Sequence, residues 1–193
     1  MPTALPSELY RQLTHAFDQR AWLPAKELAA RLLSIAPRHP VVNYIAGIAC
    51  MEVRQFATAL KHLHIATSME PARADFAVHF AKALSLARRN VEAKVAADRA
   101  RPLAVGDAAM LDTLGVIYTQ LGEYTSAAWA FRAAVGLAPG HAPFRYNLST
   151  SLIAAGDIDA AEIELEACLE VDPRHWLAHL TLAQLRRQTT AHN

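Results

Sequence analysis

Proline recurs in this chain at a fixed spacing, and that spacing restricts the fold more than any other feature of the sequence. Prolines stand at positions 37, 71, 139 and 173, so neighbouring ones differ by 34 positions or by twice 34. Proline ends helices and pushes the residue before it toward extended conformations. A chain of 193 residues that is interrupted at this interval is predicted to be a row of similar units of about 34 residues.

The stretch Ala108–His141 shows most clearly what one unit contains. It reads AAMLDTLGVIYTQLGEYTSAAWAFRAAVGLAPGH. Asp107 is a predicted N-cap, and apolar residues follow it at helical spacing. Gly115 lies inside this first helix, where glycine costs roughly 1 kcal/mol relative to alanine, so we expect a large side chain of a second helix to pack closely against it. Gly122 is predicted to turn the chain and Thr125 to cap the second helix. Ser7 is the predicted N-cap of the first helix of the chain.

This pattern resembles the tetratricopeptide repeat, a pair of antiparallel helices that recurs every ~34 residues. The residues that carry the resemblance are Leu111, Leu114, Gly115, Tyr118, Gly122, Tyr124, Ala127, Phe131, Ala134 and Pro139. The resemblance implies an all-α fold, a right-handed α-solenoid of antiparallel helix pairs with about five repeats and a C-terminal helix. It predicts a single solenoid domain over 1–193, with repeats at about 6–39, 40–73, 74–107, 108–141 and 142–175 and a final helix at 176–188.

The third unit departs from this pattern. Arg88 stands in place of the turn glycine, and Ala97 replaces the large residue of the second helix. Val105 stands where proline is expected, and Pro102 is predicted to end the second helix early. The final helix is more apolar than a terminal helix with one neighbour should be, because it carries Trp176, Leu177, Leu180, Leu182 and Leu185. We expect it either to dimerise or to dock onto something that follows it.

Composition excludes several classes of function. The formal charge of +1 gives no drive toward nucleic acid or acidic membranes, and no apolar run approaches the ~18 residues of a membrane span. The N-terminus lacks the basic and apolar regions of a secretory signal. Cys50 and Cys168 lie several repeats apart and are expected to be reduced and buried. A cytoplasmic protein is the expectation.

The resemblance also implies where a ligand binds. In the family, the first helices line a concave groove that holds extended peptides or helices, and the ligand here is expected to be a protein or peptide segment. For Ile48 and Val116, the alternative to a role in ligand binding is packing between neighbouring helices. The predicted groove residues are Tyr10, Thr14, Tyr44, Ile48, Met51, His79, Lys82, Asp112, Thr119, Tyr146, Asn147, Thr150, Gln184 and Arg187.

Charge is distributed unevenly along the chain. Basic residues concentrate in the third unit, whereas no Lys or Arg lies between Tyr146 and Pro173. Glu162, Glu166 and Glu170 are spaced four apart and are expected to form one acidic stripe on the outer surface. A solvated surface is the simpler interpretation of this stripe, and docking of a partner or of a second copy is the other.

No residues point to catalysis or to a cofactor. The sequence contains no P-loop, no GxGxxG, no GxSxG and no HExxH. The nine histidines invite a metal hypothesis, but no pair of them comes with further ligands at suitable spacing. His39, His141 and His175 recur at one repeat position, which indicates a structural preference of the inter-repeat loops. We predict no enzyme activity, no cofactor and no metal.

Three functions remain open at this stage. The first is a protein-interaction scaffold that binds its partner in the concave groove. The second is the N-terminal, substrate-recruiting repeat region of a larger enzyme, because the Ala-rich repeats and the ending LAQLRRQTTAHN resemble the arrays that precede a sulfotransferase domain in bacterial proteins. The third is self-assembly through the solenoid ends, including a homodimer through the apolar final helix.

Overall fold

The computed structural model describes the backbone of residues 6–191 and the side chains of residues 6–187. These residues form eleven α-helices and no strand, which confirms the predicted all-α class. The helices are α1 (Ser7–Asp18), α2 (Trp22–Leu33), α3 (Pro40–Glu52), α4 (Phe56–Met69), α5 (Ala74–Leu86), α6 (Asn90–Ala104), α7 (Ala108–Gln120), α8 (Tyr124–Leu137), α9 (Ala142–Ala155), α10 (Ile158–Val171) and α11 (Trp176–Ala191).

The period of the prolines is also the period of the helices. From α3 onward, each first helix of a pair begins 34 positions after the previous one, at Pro40, Ala74, Ala108 and Ala142, and α11 keeps the interval by beginning at Trp176. The second helices keep the same interval throughout, starting at Trp22, Phe56, Asn90, Tyr124 and Ile158. The spacing of the prolines and the spacing of the helices are therefore the same, and we call this 34-residue register the repeat frame.

The turn inside each pair has one geometry, whichever residue occupies it. The backbone is left-handed at Gly122 and Gly156, and also at Arg20, Arg54 and Arg88, where φ is 54°, 60° and 61°. In each turn, the N–H of the next residue donates to a carbonyl of the preceding helix's last turn, as Gln55 does to Cys50 at 2.8 Å. A non-glycine residue in this conformation costs roughly 1–2 kcal/mol. The hydrogen-bonded turn thus imposes the geometry even where glycine is missing.

Contacts group the chain into two compact units, one that ends at Leu103 and one that begins at Ala104. In the first unit, α1 to α4 each pack against the next helix, and α3 also touches α5. In the second unit, α7 to α10 each pack against the next helix, and α7 also touches α9. In both units the first helices of neighbouring repeats therefore lie side by side.

Small residues let the two helices of a pair approach each other. A β-carbon on Gly47 would stand 2.5 Å from Cγ of Leu63, and one on Gly115 would stand 2.5 Å from Cε1 of Phe131. Leu63 and Phe131 are both buried. The prediction that a large side chain of the second helix covers Gly115 is confirmed, and the same contact occurs in the first unit.

A second repeated feature fixes the loops between pairs. The buried amide of Asn43 donates to the carbonyl of Pro37 at 2.9 Å, and its oxygen accepts from Nδ1 of His62 at 2.9 Å. Arg145, at the equivalent position three repeats later, donates to the carbonyl of Pro139 at 3.2 Å and pairs with Glu164 at 2.9 Å. Each of these side chains ties an inter-repeat loop to a second helix. His179, one repeat beyond Arg145, likewise lies 2.9 Å from the carbonyl of Pro173.

The prediction that Pro102 ends the second helix of the third unit is wrong. The helix α6 continues through Pro102 to Ala104. Proline removes one backbone hydrogen bond, and near the end of a helix that loss is small beside the packing of the remaining turn. Ala104 is fully buried, and it continues a buried stripe of the same helix at Ala93, Ala97 and Ala100.

Two predicted caps are also wrong, whereas a third is confirmed. Asp107 caps α7 by accepting from the N–H groups of Ala109 and Met110. Thr125 does not cap α8, because the hydrogen-bonded turn brings the helix start forward to Tyr124 and places Thr125 inside the first turn. Ser7, an expected cap of α1, likewise lies inside the helix.

None of the described helices combines the length and the apolar character that a membrane span requires.

Candidate functional site

The predicted groove residues lie on the first helices of the pairs, except Gln184 and Arg187, which lie on α11. Ile48 and Met51 are buried, with 6% and 3% of their surface exposed, so they pack between helices and offer little to a ligand. The remaining twelve keep part of their surface accessible. The half-buried ones are Tyr10, Thr14, Tyr44, His79, Lys82, Asp112, Tyr146, Asn147 and Thr150, and the exposed ones are Thr119, Gln184 and Arg187.

In the first unit, the structure brings Tyr44 of α3 and His79 of α5 together. The Tyr44 ring stacks on Phe76 with centroids 4.7 Å apart, and its hydroxyl lies 3.3 Å from Nδ1 of His79. The same nitrogen lies 2.8 Å from the backbone carbonyl of Asp75. Because a carbonyl can only accept, Nδ1 of His79 carries the hydrogen. The neutral ring then has its lone pair on Nε2.

Burial keeps this cluster uncharged. It lowers the pKa of His79, and it raises the pKa of Tyr44 with a smaller contribution from the Asp75 carboxylate. Both groups are therefore neutral at physiological pH. Arg73 supplies the neighbouring charge, since its guanidinium lies 4.3 Å from the centroid of the Phe76 ring. That cation is paired with Asp75 at 2.7 Å.

In the second unit, Asp112 of α7 and Asn147 of α9 form the equivalent contact. Nδ2 of Asn147 donates to Oδ1 of Asp112 at 2.9 Å. The two residues are 35 apart, as are Tyr44 and His79, and each lies two repeats after its counterpart in the first unit. Each unit thus carries one polar bridge between neighbouring first helices. Thr150 donates to the Asn147 carbonyl at 2.9 Å, one turn further along α9.

The Asp112 carboxylate is held in an unfavourable environment. Burial raises its pKa, and the hydrogen bond from Asn147 offsets this only in part. A half-buried carboxylate without a cationic partner among its hydrogen bonds lowers the stability of the fold. Such groups are more frequent at functional sites than elsewhere.

Asp112→Asn is therefore expected to raise the free energy of unfolding at pH 7 by about 0.5–1 kcal/mol. The amide keeps an oxygen for Asn147 and removes the buried charge. Because the folded-state pKa lies above the unfolded value of about 3.9, the ionised form weakens the fold as pH rises, and the difference between the proteins should shrink as pH falls toward 4. Urea unfolding at several pH values measures this.

The control for this measurement is Asp159→Asn, an exposed aspartate in the first turn of α10. Its loss should lower stability slightly, because a negative charge is favourable at a helix N-terminus. Equal or lower stability of Asp112→Asn at pH 7 would contradict the argument.

A further surface was missed by the sequence reasoning. A cavity of about 470 Å³ lies in the first unit between α4, α5 and α6, and none of the predicted groove residues lines it. Its floor includes Phe80 and Leu84 of α5. The only sequence signal is a set of apolar residues on α6, Val91, Val95 and Leu103, at spacings of four and eight. Exposed aliphatic residues are common on helices, so this signal is weak.

Two of the three recurring histidines cap a helix, whereas His141 makes no side-chain cap hydrogen bond to α9. Nδ1 of His39 accepts from the N–H of Val42 at 3.3 Å, and Nδ1 of His175 accepts from the N–H of Ala178 at 3.2 Å. His39 therefore caps α3, and His175 caps α11. Within the part of the chain that the structure describes, no three His, Cys, Asp or Glu side chains are grouped as a metal site requires.

The predicted acidic stripe is partly neutralised. Arg186 of α11 donates to Glu162 at 2.6 Å and also to Glu166. On the same helix, Trp176 and Leu180 remain 68% and 45% exposed, whereas Leu182 and Leu185 are buried. The homodimer through α11 stays a prediction. Cys50 and Cys168 are buried free thiols, as expected.

Comparison with known proteins identifies these repeats. The family model for the tetratricopeptide repeat matches residues 118–185, which run from the end of α7 into α11. These residues carry tetratricopeptide repeats. No curated protein matches the chain in sequence.

Solved structures of tetratricopeptide-repeat proteins have the same fold. A crystal structure of MamA has a TM-score of 0.72 at 17% identity, with 87% of this chain and 92% of that chain covered. YrrB, described as a tetratricopeptide-repeat protein with an unusual peptide-binding site, has a TM-score of 0.70 at 18% identity over 88% and 87%. TTC0263, from Thermus thermophilus, has a TM-score of 0.66 at 17% identity over 92% and 97%. These likenesses concern the fold.

Proposed function

We propose that this protein is an interaction scaffold that binds a peptide or protein segment on the inner face, the surface that the first helices of its tetratricopeptide repeats form within each unit. The observation that carries the proposal is the pair of matching polar bridges, Tyr44–His79 and Asp112–Asn147, one in each unit. They place aromatic and hydrogen-bonding groups at equivalent positions of the two units, and a segment of another protein needs such groups for orientation and affinity.

The second bridge is chemically suited to an extended ligand. Asp112 and Asn147 are both half-buried, so part of each residue is accessible at the contact between α7 and α9. A carboxylate accepts hydrogen bonds and a carboxamide both donates and accepts, which are the partners that backbone amides require. Val116, 39% exposed on α7, adds an apolar contact.

The first unit adds a different set of groups. The lone pair on Nε2 of neutral His79 is an acceptor for a ligand N–H. Lys82, half-buried and three residues further along α5, supplies a positive charge. A carboxylate side chain of the ligand would find its counter-ion there. The peptide-binding site described for YrrB supports the proposal, since it is built on the same fold.

The test is an affinity capture from the native lysate, quantified by mass spectrometry, with paired variants. Thr119→Arg and Lys82→Glu alter accessible positions of the inner face. Their matched controls make the same substitutions on the exposed surface of second helices, Thr125→Arg on α8 and Lys61→Glu on α4. We expect a partner that wild type and both controls capture and that at least one inner-face variant loses by tenfold or more.

Alanine variants of Tyr44 are less suitable for this purpose. Tyr44 packs against Phe17, Phe76 and His79, so truncation would disturb the fold as well as the surface. Capture that both inner-face variants retain and both controls lose would overturn the inner-face proposal.

A further inference from the structure

The cavity of the first unit is a groove with a defined helical geometry. Each of the three helices that form it, α4, α5 and α6, contributes residues from one of its own faces. These are His64, Thr67 and Ser68 with Pro71 on and just after α4; Ala77, Phe80 and Leu84 on α5; and Val91, Glu92, Val95, Ala96, Arg99 and Leu103 on α6. The α6 stripe extends about 18 Å along the helix axis, from Val91 to Leu103. We call this surface the outer groove.

The outer groove brings exposed apolar side chains together on one surface, and such a contiguous patch indicates an interaction site more strongly than scattered exposed residues do. Val91 is 80% exposed, Val95 47% and Leu103 37%. They lie on one ridge of α6 at i, i+4 and i+12, and Phe80 and Leu84 form an apolar floor beside them. The volume of about 470 Å³ falls within the range of pockets that bind ligands.

Among the described residues, all but one of the charged and hydroxyl-bearing side chains that line the outer groove have a hydrogen-bond or ion-pair partner, whereas the His64 ring contacts the Phe80 ring with centroids 5.8 Å apart. The hydroxyls of Thr67 and Ser68 donate to carbonyls of their own helix. Glu92 accepts from Arg89, and Lys94 pairs with Asp98 nearby. The exception occupies the i+8 position of the apolar ridge.

That exception is Arg99. Among the described residues, its guanidinium has no hydrogen bond and no ion pair. It stands four residues after Val95 and four before Leu103, in the middle of the exposed ridge. A free guanidinium presents a planar set of donors that fits a carboxylate. Along this ridge a cation, Arg99, therefore lies between apolar residues, with Val91 and Val95 before it and Leu103 after it at intervals of four residues.

We propose that the outer groove binds an amphipathic helix of a partner protein that carries an acidic residue between apolar ones. Docking a helix against a ridge of period four requires side chains at i, i+3 or i+4, and i+7 or i+8 on the partner. The carboxylate must face Arg99 while apolar residues one turn before and after it cover Val95 and Leu103. The partner motif is an acidic residue flanked at three or four positions on either side by Leu, Ile, Val, Met or Phe.

This site is separate from the inner face, because none of its lining residues belongs to the predicted groove set. The protein would then hold two partners, or two segments of one partner, at once. The two proposals can consequently fail independently.

The test uses a phage-displayed library of random sixteen-residue peptides, panned on the full chain. The best-enriched peptide is synthesised, and its affinity is measured by fluorescence anisotropy for wild type and variants. Val95→Arg should abolish binding, because it places a large cation in the groove. Arg99→Gln should weaken binding at least tenfold, and Arg99→Lys should weaken it less, since the charge is kept.

Two controls complete the design. Leu23→Arg changes an apolar residue of α2 that is 58% exposed and does not line the outer groove, and it should leave affinity unchanged. Circular dichroism checks that Val95→Arg is folded, as expected for a residue that is 47% exposed.

The proposal requires enriched peptides with the acidic motif that bind wild type and Leu23→Arg equally and Val95→Arg not at all. Enriched peptides without an acidic residue, or with unchanged affinity for Arg99→Gln, would overturn it. Failure to enrich any peptide that Val95→Arg loses would overturn it as well. Peptides that Thr119→Arg loses instead would overturn the outer groove while supporting the inner face. Sedimentation showing self-association of wild type that Val95→Arg abolishes would overturn the partner helix in favour of a second copy.

Discussion

Asn43→Leu is expected to lower the free energy of unfolding by about 2–4 kcal/mol. Asn43 is fully buried, and its amide donates to the carbonyls of Pro37 and His39 at 2.9 and 3.0 Å. Its oxygen accepts from Nδ1 of His62. Leucine has a similar volume and removes all three bonds, which leaves the His62 N–H and the Pro37 carbonyl without these partners. Urea unfolding followed by circular dichroism gives the value.

The double variant Asn43→Leu/His62→Leu separates lost hydrogen bonds from lost packing. Replacing both partners of a buried polar pair by apolar groups is often close to neutral. The protein itself shows that an apolar pair is tolerated here, because Leu111 and Ala130, the equivalent residues two repeats later, are fully buried. We expect the double variant to be at least ~1 kcal/mol more stable than the sum of the single changes implies. Strict additivity would mean that Asn43 acts by packing alone.

Gly115→Ala is expected to lower the free energy of unfolding by about 1–3 kcal/mol. The new β-carbon would stand 2.5 Å from Cε1, 2.6 Å from Cζ and 2.7 Å from Cδ1 of the Phe131 ring, so ring or helix must move. This overpacking outweighs the ~1 kcal/mol that alanine gains over glycine inside a helix. Thermal and urea unfolding both measure the change.

A matched glycine in the same unit provides the control. A β-carbon on Gly136, near the end of α8, would meet nothing within 4 Å, so Gly136→Ala should stabilise the protein by about 0.5 kcal/mol. Phe131→Leu in the Gly115→Ala background should relieve the clash, since Ser149 and Leu165 occupy the equivalent positions one repeat later. Gly115→Ala as stable as wild type would contradict the packing described for this pair.

These two positions show why some of the fold was predictable and some was not. The clash at Gly115 follows from the sequence, because glycine inside a helix is unfavourable unless something large approaches it. The bond from Asn43 to the loop does not, because Arg145 performs the same task with a different side chain and a different partner. Asn43 and Arg145 are related only by their equivalent positions in the repeat. The 34-residue repeat predicts which positions correspond, but it does not predict which residue type stands at each of them.

The turns inside the pairs also show that residue type predicts local geometry only in part. Glycine at 122 and 156 signals a left-handed turn, whereas Arg20 and Arg88 carry no such signal. Their conformation is imposed by the hydrogen bonds that close the turn inside each pair. In the third pair, the N–H of Arg89 donates to the carbonyl of Leu84 at 3.0 Å. The error at Pro102 has a related cause. The tendency of proline to end a helix is outweighed at this position by the burial of Ala104.

For the site, the repeat frame placed the predicted groove residues on the first helices of the pairs and on α11, but it could not give their exposure. Ile48 and Met51 are buried, while Thr119 in the corresponding part of α7 is exposed. Exposure depends on the size of side chains contributed by the neighbouring repeats, which differ. The outer groove was missed for the same reason: it is formed jointly by three helices, and no single segment of sequence reveals it.

The most direct test of the central claim is photo-crosslinking at two positions of the second unit. A benzoyl-phenylalanine is placed at Thr119 of α7 in one protein and at Thr125 of α8 in another, both exposed. The two sites differ in whether they lie on a first or a second helix. Irradiation in native lysate should give a discrete partner adduct at position 119 and none at 125. An adduct at 125 without one at 119 would contradict the assignment of partner binding to the inner face.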